Sequence, residues 1–358
     1  MDEVIYAYPL YQNVSFRFIA EKHIEYMSEY LKIYKVDVYT FNPSYWGEHK
    51  TIFLHPLGYP YTNNKAGFNS AINRNYNLVG FDACDTDLLS EMACEIFSKS
   101  KIFVTPSNFS AGVYVKSCEI YNIEPANTIV LPHGIDKDWI EPSYIQTDWL
   151  NSLRELKRDK GYTFILYQLP HSGYRKGADI VAKTMRIVQA KIPSAVLLIK
   201  STENRDPYMV KFRDIKHVTI ERVLPYKEYI AMYDISDINL LASRGGAFEH
   251  NTIEGLSRGK PTIVPRGGCF LEFEGLVEYV DITDNRPIVL PDNPIHIGRG
   301  WEADYVDMAN KIIEIIEHYE EYVEKYNNIA QIVAKKYDWS KIIRWFLKML
   351  CKNGILNI

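Results

Sequence analysis

Residues 240–265 read LLASRGGAFEHNTIEGLSRGKPTIVP. This stretch combines an apolar strand, a glycine-containing loop, a helix that begins near Glu249 and a second strand that starts at Pro261. Gly245 and Gly246 allow the backbone to approach a ligand closely, because glycine has no side chain. The free N–H groups at the start of the helix favour an anion. The stretch therefore predicts a loop at which a phosphate can dock.

Strand and helix patterns alternate along most of the chain. Short apolar runs include EVIYAYPL, VDVYTF and TIFLHPLG in the first half and YTFILYQL, AVLLIKS and INLLAS in the second. Helical periodicity separates them, for example from about Ser15 to Tyr34 and from about Ala178 to Ala190. Such alternation produces βαβ units. We therefore predict an α/β fold with two doubly wound, Rossmann-like domains facing a cleft, in which ligands bind beyond the carboxyl ends of the strands.

A polar, tryptophan-containing stretch separates the two series of strands. We predict an N-terminal domain over residues 1–140, a linker over 141–160 and a C-terminal domain over 161–335. Residues 336–358 are predicted to hold a final helix, which begins at the capping pattern Asp338-Trp339-Ser340.

Composition and charge exclude several classes of protein. The 358 residues include 41 basic and 45 acidic side chains, and the resulting net charge of -4 argues against a nucleic-acid partner. Five cysteines without a C-x-x-C spacing favour neither a disulfide framework nor a zinc site. No apolar run reaches the length of a membrane span. We expect a cytoplasmic protein that is soluble or peripheral at a membrane.

Several familiar catalytic motifs are missing, namely the P-loop, the dinucleotide-binding G-x-G-x-x-G, the zinc-binding H-E-x-x-H and the nucleophile elbow G-x-S-x-G. Asp85 and Asp87 have the spacing of paired metal-binding carboxylates, but we expect Asp85 to cap a helix from about Asp87 to Ser100. Glu249, His250 and Glu254 could share one helix face, although two or three ligands make a poor metal site. No metal is predicted.

The segment IEGLSRGKPTIV resembles the helix-to-strand signature of retaining glycosyltransferases of family 4, which have the two-domain GT-B fold. In that family two glutamates eight positions apart flank the loop. Glu254 matches the second, and the resemblance implies that it accepts hydrogen bonds from the ribose of the donor nucleotide. The alternative is a solvated helix glutamate.

The first glutamate of the family pattern would fall at position 246, which is glycine in this chain. Glu249, one helix turn before Glu254, is the candidate to replace it in catalysis, unless it is a helix residue favoured by the dipole. Alternatively, the N–H groups of the loop bind the sugar directly. The substrate-binding residues assigned to this loop and helix are Gly245, Gly246, Phe248, Asn251 and Thr252.

The segment HSGYRKGADIVAKTM resembles the part of the family in which an arginine and a lysine bind the donor diphosphate. Lys176 matches the lysine. Arg175 is adjacent to it, whereas the arginine of the family lies several residues earlier. A solvated basic loop is the alternative for both residues.

In the first domain, IFVTPSNFSAGVY and TIVLPHGID resemble the end of the family's N-terminal domain, where a turn containing Gly134 approaches the cleft. Asp82 and His55 follow predicted strands, so both are expected at the cleft. We assign Asp82 to catalysis near the acceptor and His55 to substrate binding. The alternatives are a turn cap and a satisfied core histidine.

The resemblance implies a retaining, metal-independent hexosyltransferase. Such an enzyme moves a sugar from a UDP- or GDP-linked donor to a hydroxyl of a glycan, a lipid-linked acceptor or a small molecule, without a separate cofactor. The leaving phosphate can itself take the acceptor proton. Two alternatives stay open. One is a catalytically silent nucleotide-sugar binding protein, which Gly246 favours, and the other is an epimerase with the GT-B fold.

The final segment, KKYDWSKIIRWFLKML, resembles the helix that crosses back onto the first domain in this family. Lys341, Arg344, Lys348 and Lys352 form a cationic stripe, and apolar residues occupy the rest of the helix. A basic amphipathic helix can lie on anionic lipid. We favour the alternative in which the apolar side packs on the protein, which leaves at most weak peripheral contact with a membrane.

Overall fold

The structure is a computed structural model that describes residues 2–12, 14–47, 50–142, 144–203 and 206–357. The chain divides into two compact units. The first comprises residues 1–134, 290–298 and 339–358, and the second comprises residues 135–289 and 299–338. The α/β prediction of two doubly wound domains is confirmed, because each unit contains a six-stranded parallel sheet with helices.

The first unit has the strand order β2-β1-β3-β4-β5-β6. Its strands are β1 (Glu3–Tyr8), β2 (Lys32–Asp37), β3 (Thr51–Leu54), β4 (Asn77–Phe81), β5 (Ile102–Thr105) and β6 (Asn127–Val130). Its helices are α1 (Ser15–Met27), α2 (Gly58–Asn63), α3 (Lys65–Asn73), α4 (Glu91–Phe97), α5 (Asn108–Tyr121) and α12 (Trp339–Lys352), numbered along the whole chain.

The second unit has the strand order β12-β11-β10-β7-β8-β9. Its strands are β7 (Thr163–Gln168), β8 (Ala195–Ser201), β9 (His217–Glu221), β10 (Ile238–Leu240), β11 (Thr262–Pro265) and β12 (Glu278–Val280). Its helices are α6 (Asp148–Lys160), α7 (Ala178–Lys191), α8 (Tyr226–Ile235), α9 (His250–Ser257), α10 (Tyr305–Glu317) and α11 (Tyr319–Lys336). Short 3-10 helices lie at Pro43–Tyr45, Lys137–Trp139, Pro207–Phe212 and Gly268–Phe273.

Each sheet is covered by apolar side chains on both faces, as expected when helices flank a parallel sheet. Helix α6 lies within the stretch expected to be a linker, and its Leu150 and Leu153 are buried in the second unit. No described helix is long and apolar enough to cross a lipid bilayer.

Two predicted element boundaries in the first unit were wrong. Helix α1 ends at Met27, and β2 occupies Lys32–Asp37, whereas the helix was expected to reach Tyr34 and the strand to follow it. Strand β2 is at the edge of its sheet and pairs residue by residue with β1, from Glu3 opposite Lys32 to Tyr8 opposite Asp37. An edge strand is partly exposed to solvent, and β2 therefore contains polar residues. It lacks the apolar run from which a strand is predicted.

The expected capping of a helix by Asp85 was also wrong. Helix α4 begins at Glu91, and the side chain of Ser90 accepts a hydrogen bond from the N–H of Ala93. Leu89 instead forms an antiparallel bridge with His296, and the carbonyl oxygen of Leu88 accepts hydrogen bonds from the N–H groups of Ile297 and Gly298. This pairing uses a segment about two hundred residues away, which a local pattern cannot show.

Helix α12 packs its apolar face against the sheet of the first unit. Trp339, Phe346 and Leu350 are buried there, in the same cluster as Val4 and Tyr6. The four cations of the stripe are exposed, and Trp345 among them is 44% exposed. Because the packing already uses the apolar face, the helix has little left to insert into lipid.

We expect only weak association with anionic vesicles, because solvated cations are screened within about 10 Å at 0.1 M salt. Co-sedimentation with vesicles rich in phosphatidylserine should be detectable at low salt and disappear as salt rises. Arg344→Glu with Lys348→Glu should abolish it. Binding that persists in high salt would instead show that Trp345 inserts into the bilayer.

Candidate functional site

Two loops meet at the carboxyl ends of β7 and β10 in the second unit. Gly177 ends the first loop with φ +73, and a Cβ built on it would lie 2.1 Å from the carbonyl oxygen of Ala242. The hydroxyl of Tyr167 donates to the carbonyl oxygen of Lys176 at 3.0 Å. The loop with Lys176 is therefore packed backbone against backbone onto the end of β10, with no space for a side chain at position 177.

Lys176 and Glu249 form a close ion pair in this place. The Lys176 Nζ atom lies 2.7 Å from Glu249 Oε2 and 2.9 Å from Oε1. The lysine side chain is 14% exposed and the glutamate 6%, so water screens the pair little. The pair adjoins a small pocket that is also lined by Gln168, Asn239 and Asn251.

The Glu249 carboxylate occupies the space next to Gly246. A Cβ on Gly246 would lie only 2.6 Å from Glu249 Oε1. Glu249 is the residue just before helix α9, so it can reach back over the loop that precedes the helix. The structure therefore places a carboxylate where a side chain at position 246 would begin, although residue 246 itself has none.

Glu254 is buried on helix α9 and is held by two tyrosines of α8. Its Oε2 atom accepts hydrogen bonds from the hydroxyls of Tyr233 at 2.6 Å and Tyr229 at 2.9 Å. The amide of Gln168 contacts both hydroxyls, at 2.5 Å and 2.7 Å. Burial and the Glu254 charge raise the pKa of both tyrosines, which keeps them protonated as donors. Among the described residues, no hydrogen bond is made to Oε1 of Glu254.

The remaining residues predicted in this region have differing surroundings. Arg175 donates from Nη1 to the carbonyl oxygen of Gly245 at 3.2 Å, which joins the two loops. Asn251 lines the pocket. Phe248 packs on Phe273, with ring centroids 5.3 Å apart. Thr252 is fully buried, and its hydroxyl has no hydrogen-bond partner in the described structure.

Asp82, in the first unit, accepts hydrogen bonds at the start of helix α2. The N–H groups of Gly58, Ala83 and Leu57 donate to its carboxylate at 2.6, 2.8 and 3.1 Å. Burial raises its pKa to about 7, although these hydrogen bonds act in the opposite direction. This is the geometry of the cap that the sequence left open as an alternative. A catalytic role for Asp82 stays a prediction.

His55 lies in a buried aromatic cluster. The Tyr6 hydroxyl is 3.0 Å from Nδ1 of His55 and 2.8 Å from Nδ1 of His23, and the His55 ring stacks on Phe81. These contacts match the alternative of a satisfied core histidine, and substrate binding by His55 stays a prediction. Gly134, the last residue of the first unit in this part of the chain, is buried.

The buried imidazole of His55 makes the stability of the first unit sensitive to acid. Burial and the nearby His133 lower its pKa to about 3, whereas an unfolded histidine titrates near 6.5. The unfolded chain therefore binds a proton below pH 6.5 that the folded chain does not, and stability falls as the pH falls towards 3. At pH 5.5 this single group lowers the free energy of unfolding by about 1.4 kcal/mol, relative to a pH at which histidine is neutral in the unfolded chain as well.

The test compares the free energy of unfolding in urea at pH 7.5 and pH 5.5 for wild type and His55→Gln. We expect the variant to lose about 1.4 kcal/mol less than wild type over this interval. His318→Gln, which alters an exposed imidazole, is the control. Equal losses in wild type and His55→Gln would contradict the prediction.

Three residues of the site have no pattern in the sequence that indicates their role. Tyr229 and Tyr233 are four apart on a helix, a spacing that core residues share, and nothing in it indicates that they face Glu254. Arg244 directly precedes Gly245, and its sequence position does not indicate that its guanidinium is buried beside Tyr174. Among the described residues, no group of three metal-ligating side chains is arranged to hold a metal ion.

Comparison with known protein sequences identifies viral relatives. No protein-family model matches the chain. It is 26% identical over 362 residues to "Uncharacterized protein 356" of Sulfolobus islandicus rod-shaped virus 1, a match that covers 98% of each chain. It is 25% identical over 281 residues to "Putative glycosyltransferase 45" of a Sulfolobus islandicus filamentous virus, covering 75% of this chain and 73% of the relative.

Solved structures resemble the whole chain. A glycosyltransferase from Rickettsia africae matches with a TM-score of 0.69 and 14% identity, over 99% of both chains. "Trehalose-6-phosphate from E. coli bound with UDP-2-fluoro glucose" also matches with a TM-score of 0.69, at 10% identity, over 99% of this chain and 100% of that one. At these identities the likeness is one of fold. The two-unit architecture is that of the GT-B glycosyltransferases.

Proposed function

We propose that this chain is a retaining glycosyltransferase that takes a sugar from a nucleoside diphosphate sugar and passes it to a hydroxyl acceptor. The observation that carries the proposal is the buried pair of Lys176 and Glu249 beside the Gly245–Gly246 loop. A cation, a carboxylate and a side-chain-free loop lie together at the carboxyl ends of parallel strands, where α/β proteins bind nucleotides. The GT-B fold and the viral relative named a glycosyltransferase agree with it.

The proposed donor site uses groups that suit each part of the donor. Lys176 and Arg175 neutralise the diphosphate, whose negative charge grows as the bond to the sugar breaks. The N-terminus of helix α9 adds a partial positive charge. Glu254 uses its Oε1 atom to accept a hydrogen bond from the ribose, while the two tyrosines hold its other oxygen. These charges come from the protein, so the proposal invokes no metal.

Glu249 is proposed to bind the transferred sugar. Its carboxylate lies where a side chain at position 246 would begin, and it can accept hydrogen bonds from sugar hydroxyls. In a retaining transfer the acceptor hydroxyl attacks the face from which the diphosphate departs. A departing phosphate oxygen then takes the acceptor proton, so the reaction requires no separate protein base.

A silent binding protein is the second candidate, because Lys176 is already paired with Glu249 and residue 246 has no carboxylate. The test measures release of nucleoside diphosphate from UDP- and GDP-linked glucose and mannose. The acceptors are glycans, lipid-linked saccharides and sugar phosphates, the last suggested by neighbours named trehalose-6-phosphate synthases. Release that requires an acceptor, with an unchanged anomeric configuration, supports the proposal. Donor binding without release supports the binding protein.

Glu254→Ala should weaken binding of the nucleoside diphosphate by about 2 kcal/mol, or roughly thirtyfold, because a buried charged hydrogen bond is lost. Calorimetry with UDP and GDP measures this. Glu221→Ala, at the end of β9 and exposed, is the matched control and should bind as wild type does. Unchanged affinity in a folded Glu254→Ala variant would remove Glu254 from the ribose site.

A further inference from the structure

Arg244 belongs to the glycine loop (residues 241–249), and its buried side chain extends to the basic loop (residues 169–177). Its side chain is 2% exposed. The guanidinium donates from Nη1 and Nη2 to the two oxygens of Asp179, at 2.8 and 2.9 Å. It also donates from Nη2 and Nε to Oε2 of Glu302, at 2.7 and 3.0 Å. Two carboxylates thus fix the plane of the guanidinium, and only a planar fork of donors can satisfy both.

The same residue holds the backbone of the basic loop at two successive positions. Nη1 of Arg244 donates to the carbonyl oxygen of Tyr174 at 2.7 Å, and the guanidinium lies 4.2 Å from the centre of the Tyr174 ring. The backbone N–H of Arg244 donates to the carbonyl oxygen of Arg175 at 2.7 Å. The next residue in the loop is Lys176, so its position depends on these contacts.

Asp179 connects this arrangement to helix α7, which begins directly after the loop. It lies in the first turn of the helix, where a carboxylate is favoured by the dipole. Burial raises the pKa of Asp179, but its hydrogen bonds to Arg244 and the positive charge outweigh this, and the pKa is lowered overall. One guanidinium therefore holds both Tyr174, two residues before Lys176, and Asp179, three residues after it.

We infer that Arg244 is a positioning residue that sets Lys176 and Arg175 for the donor diphosphate. It is too buried to touch the donor, and it acts through the backbone of Tyr174 and Arg175. The inference rests on the proposed function. Loss of the Arg244 guanidinium should displace the basic loop, which carries Lys176 and Arg175. The part of the site around Glu254 should stay in place.

The test uses Arg244→Met, Arg244→Lys and a matched control, Arg186→Met. Arg186 is on helix α7, which also carries Asp179, and it makes a two-pronged pair with Asp214, but at the surface, where it is 44% exposed. Calorimetry first selects the diphosphate that wild type binds most tightly among UDP, GDP and ADP. Each variant is then titrated with that diphosphate and with the corresponding nucleoside.

We expect Arg244→Met to bind the diphosphate at least thirtyfold more weakly and the nucleoside within twofold of wild type. Arg244→Lys should recover part of the loss, and Arg186→Met should match wild type. If Arg244→Met does not fold, Glu302→Gln keeps the shape of the cluster and should weaken the diphosphate alone, by several fold.

Equal losses for diphosphate and nucleoside in the folded variants would overturn the inference and show a general structural role. Unchanged diphosphate binding in Arg244→Met, or in Glu302→Gln where it is used, would also overturn it. A wild-type protein that binds none of the three diphosphates would instead refute the proposed function, on which the inference depends. The two failures are therefore distinguishable, because only the second is visible in wild type.

Discussion

Lys176→Ala should lower turnover by about 10² to 10³, the range found when one preorganised group that stabilises transition-state charge is removed. The lysine is buried at the proposed diphosphate site, so its charge is poorly screened and acts strongly on a nearby phosphate. The charge has no partner on a bare nucleoside. We therefore expect weaker binding of UDP or GDP and almost unchanged binding of uridine or guanosine, both measured by calorimetry.

Lys183→Ala is the matched control for this prediction, because Lys183 is an exposed lysine on helix α7, close in sequence to Lys176. It should leave turnover and both affinities as in wild type. A Lys176→Ala protein that loses nucleoside and diphosphate affinity equally would show damage to the loop and not the loss of a phosphate contact. Thermal unfolding of each variant checks that the second unit is intact.

Glu249→Ala should also lower turnover by about 10² or more, without weakening the binding of the nucleoside diphosphate. The carboxylate is proposed to contact the sugar, so its loss affects transfer. Its removal also frees Lys176 from an ion pair at 2.7 Å, which favours the diphosphate. Turnover and diphosphate affinity should therefore change in opposite directions, a pattern that general destabilisation does not produce.

A carboxylate moved to position 246 provides the second half of this test. Gly246→Glu alone should be inactive, because its Cβ would lie 2.6 Å from Glu249 Oε1 and two carboxylates would share one space. Gly246→Glu combined with Glu249→Ala should recover activity relative to Glu249→Ala. Gly246→Gln with Glu249→Ala, which has the same shape without the charge, should not. No recovery in the first double variant would mean that the space beside Gly246 is not where the sugar binds.

The fold was largely predictable because, along an α/β chain, the spacing of apolar residues changes each time a strand is followed by a helix. The apolar runs of central strands such as β7 and β8 were identified directly. Strand β2 was misplaced because it is an edge strand, and its neighbour β1 determines where it begins. The start of helix α4 was misplaced because His296, remote in sequence, pairs with Leu89. Both errors arise from tertiary contacts.

The sequence indicated those residues of the candidate site that lie in short segments with a recognisable pattern. The glycine loop, Lys176 and Glu249 carry their chemistry in short segments, and the structure brings them together. The tyrosines that hold Glu254 come from a different helix, and a sequence pattern cannot show which carboxylate a tyrosine faces. The sequence could not show that the Glu249 carboxylate lies beside Gly246, because that position depends on how the backbone turns into helix α9.

The division of the chain between the two units affects the order in which they can fold during synthesis. The first unit begins first but can complete its fold only after the second. The ribosome makes residues 1–134 first, but the first unit also needs residues 290–298 and 339–358. The second unit is complete in sequence once residue 338 has been made. Until Trp339 and Phe346 emerge, the sheet face that includes Val4 and Tyr6 lacks its cover and is open to aggregation or to chaperones. The first unit, whose synthesis begins first, is therefore the last to complete its hydrophobic core.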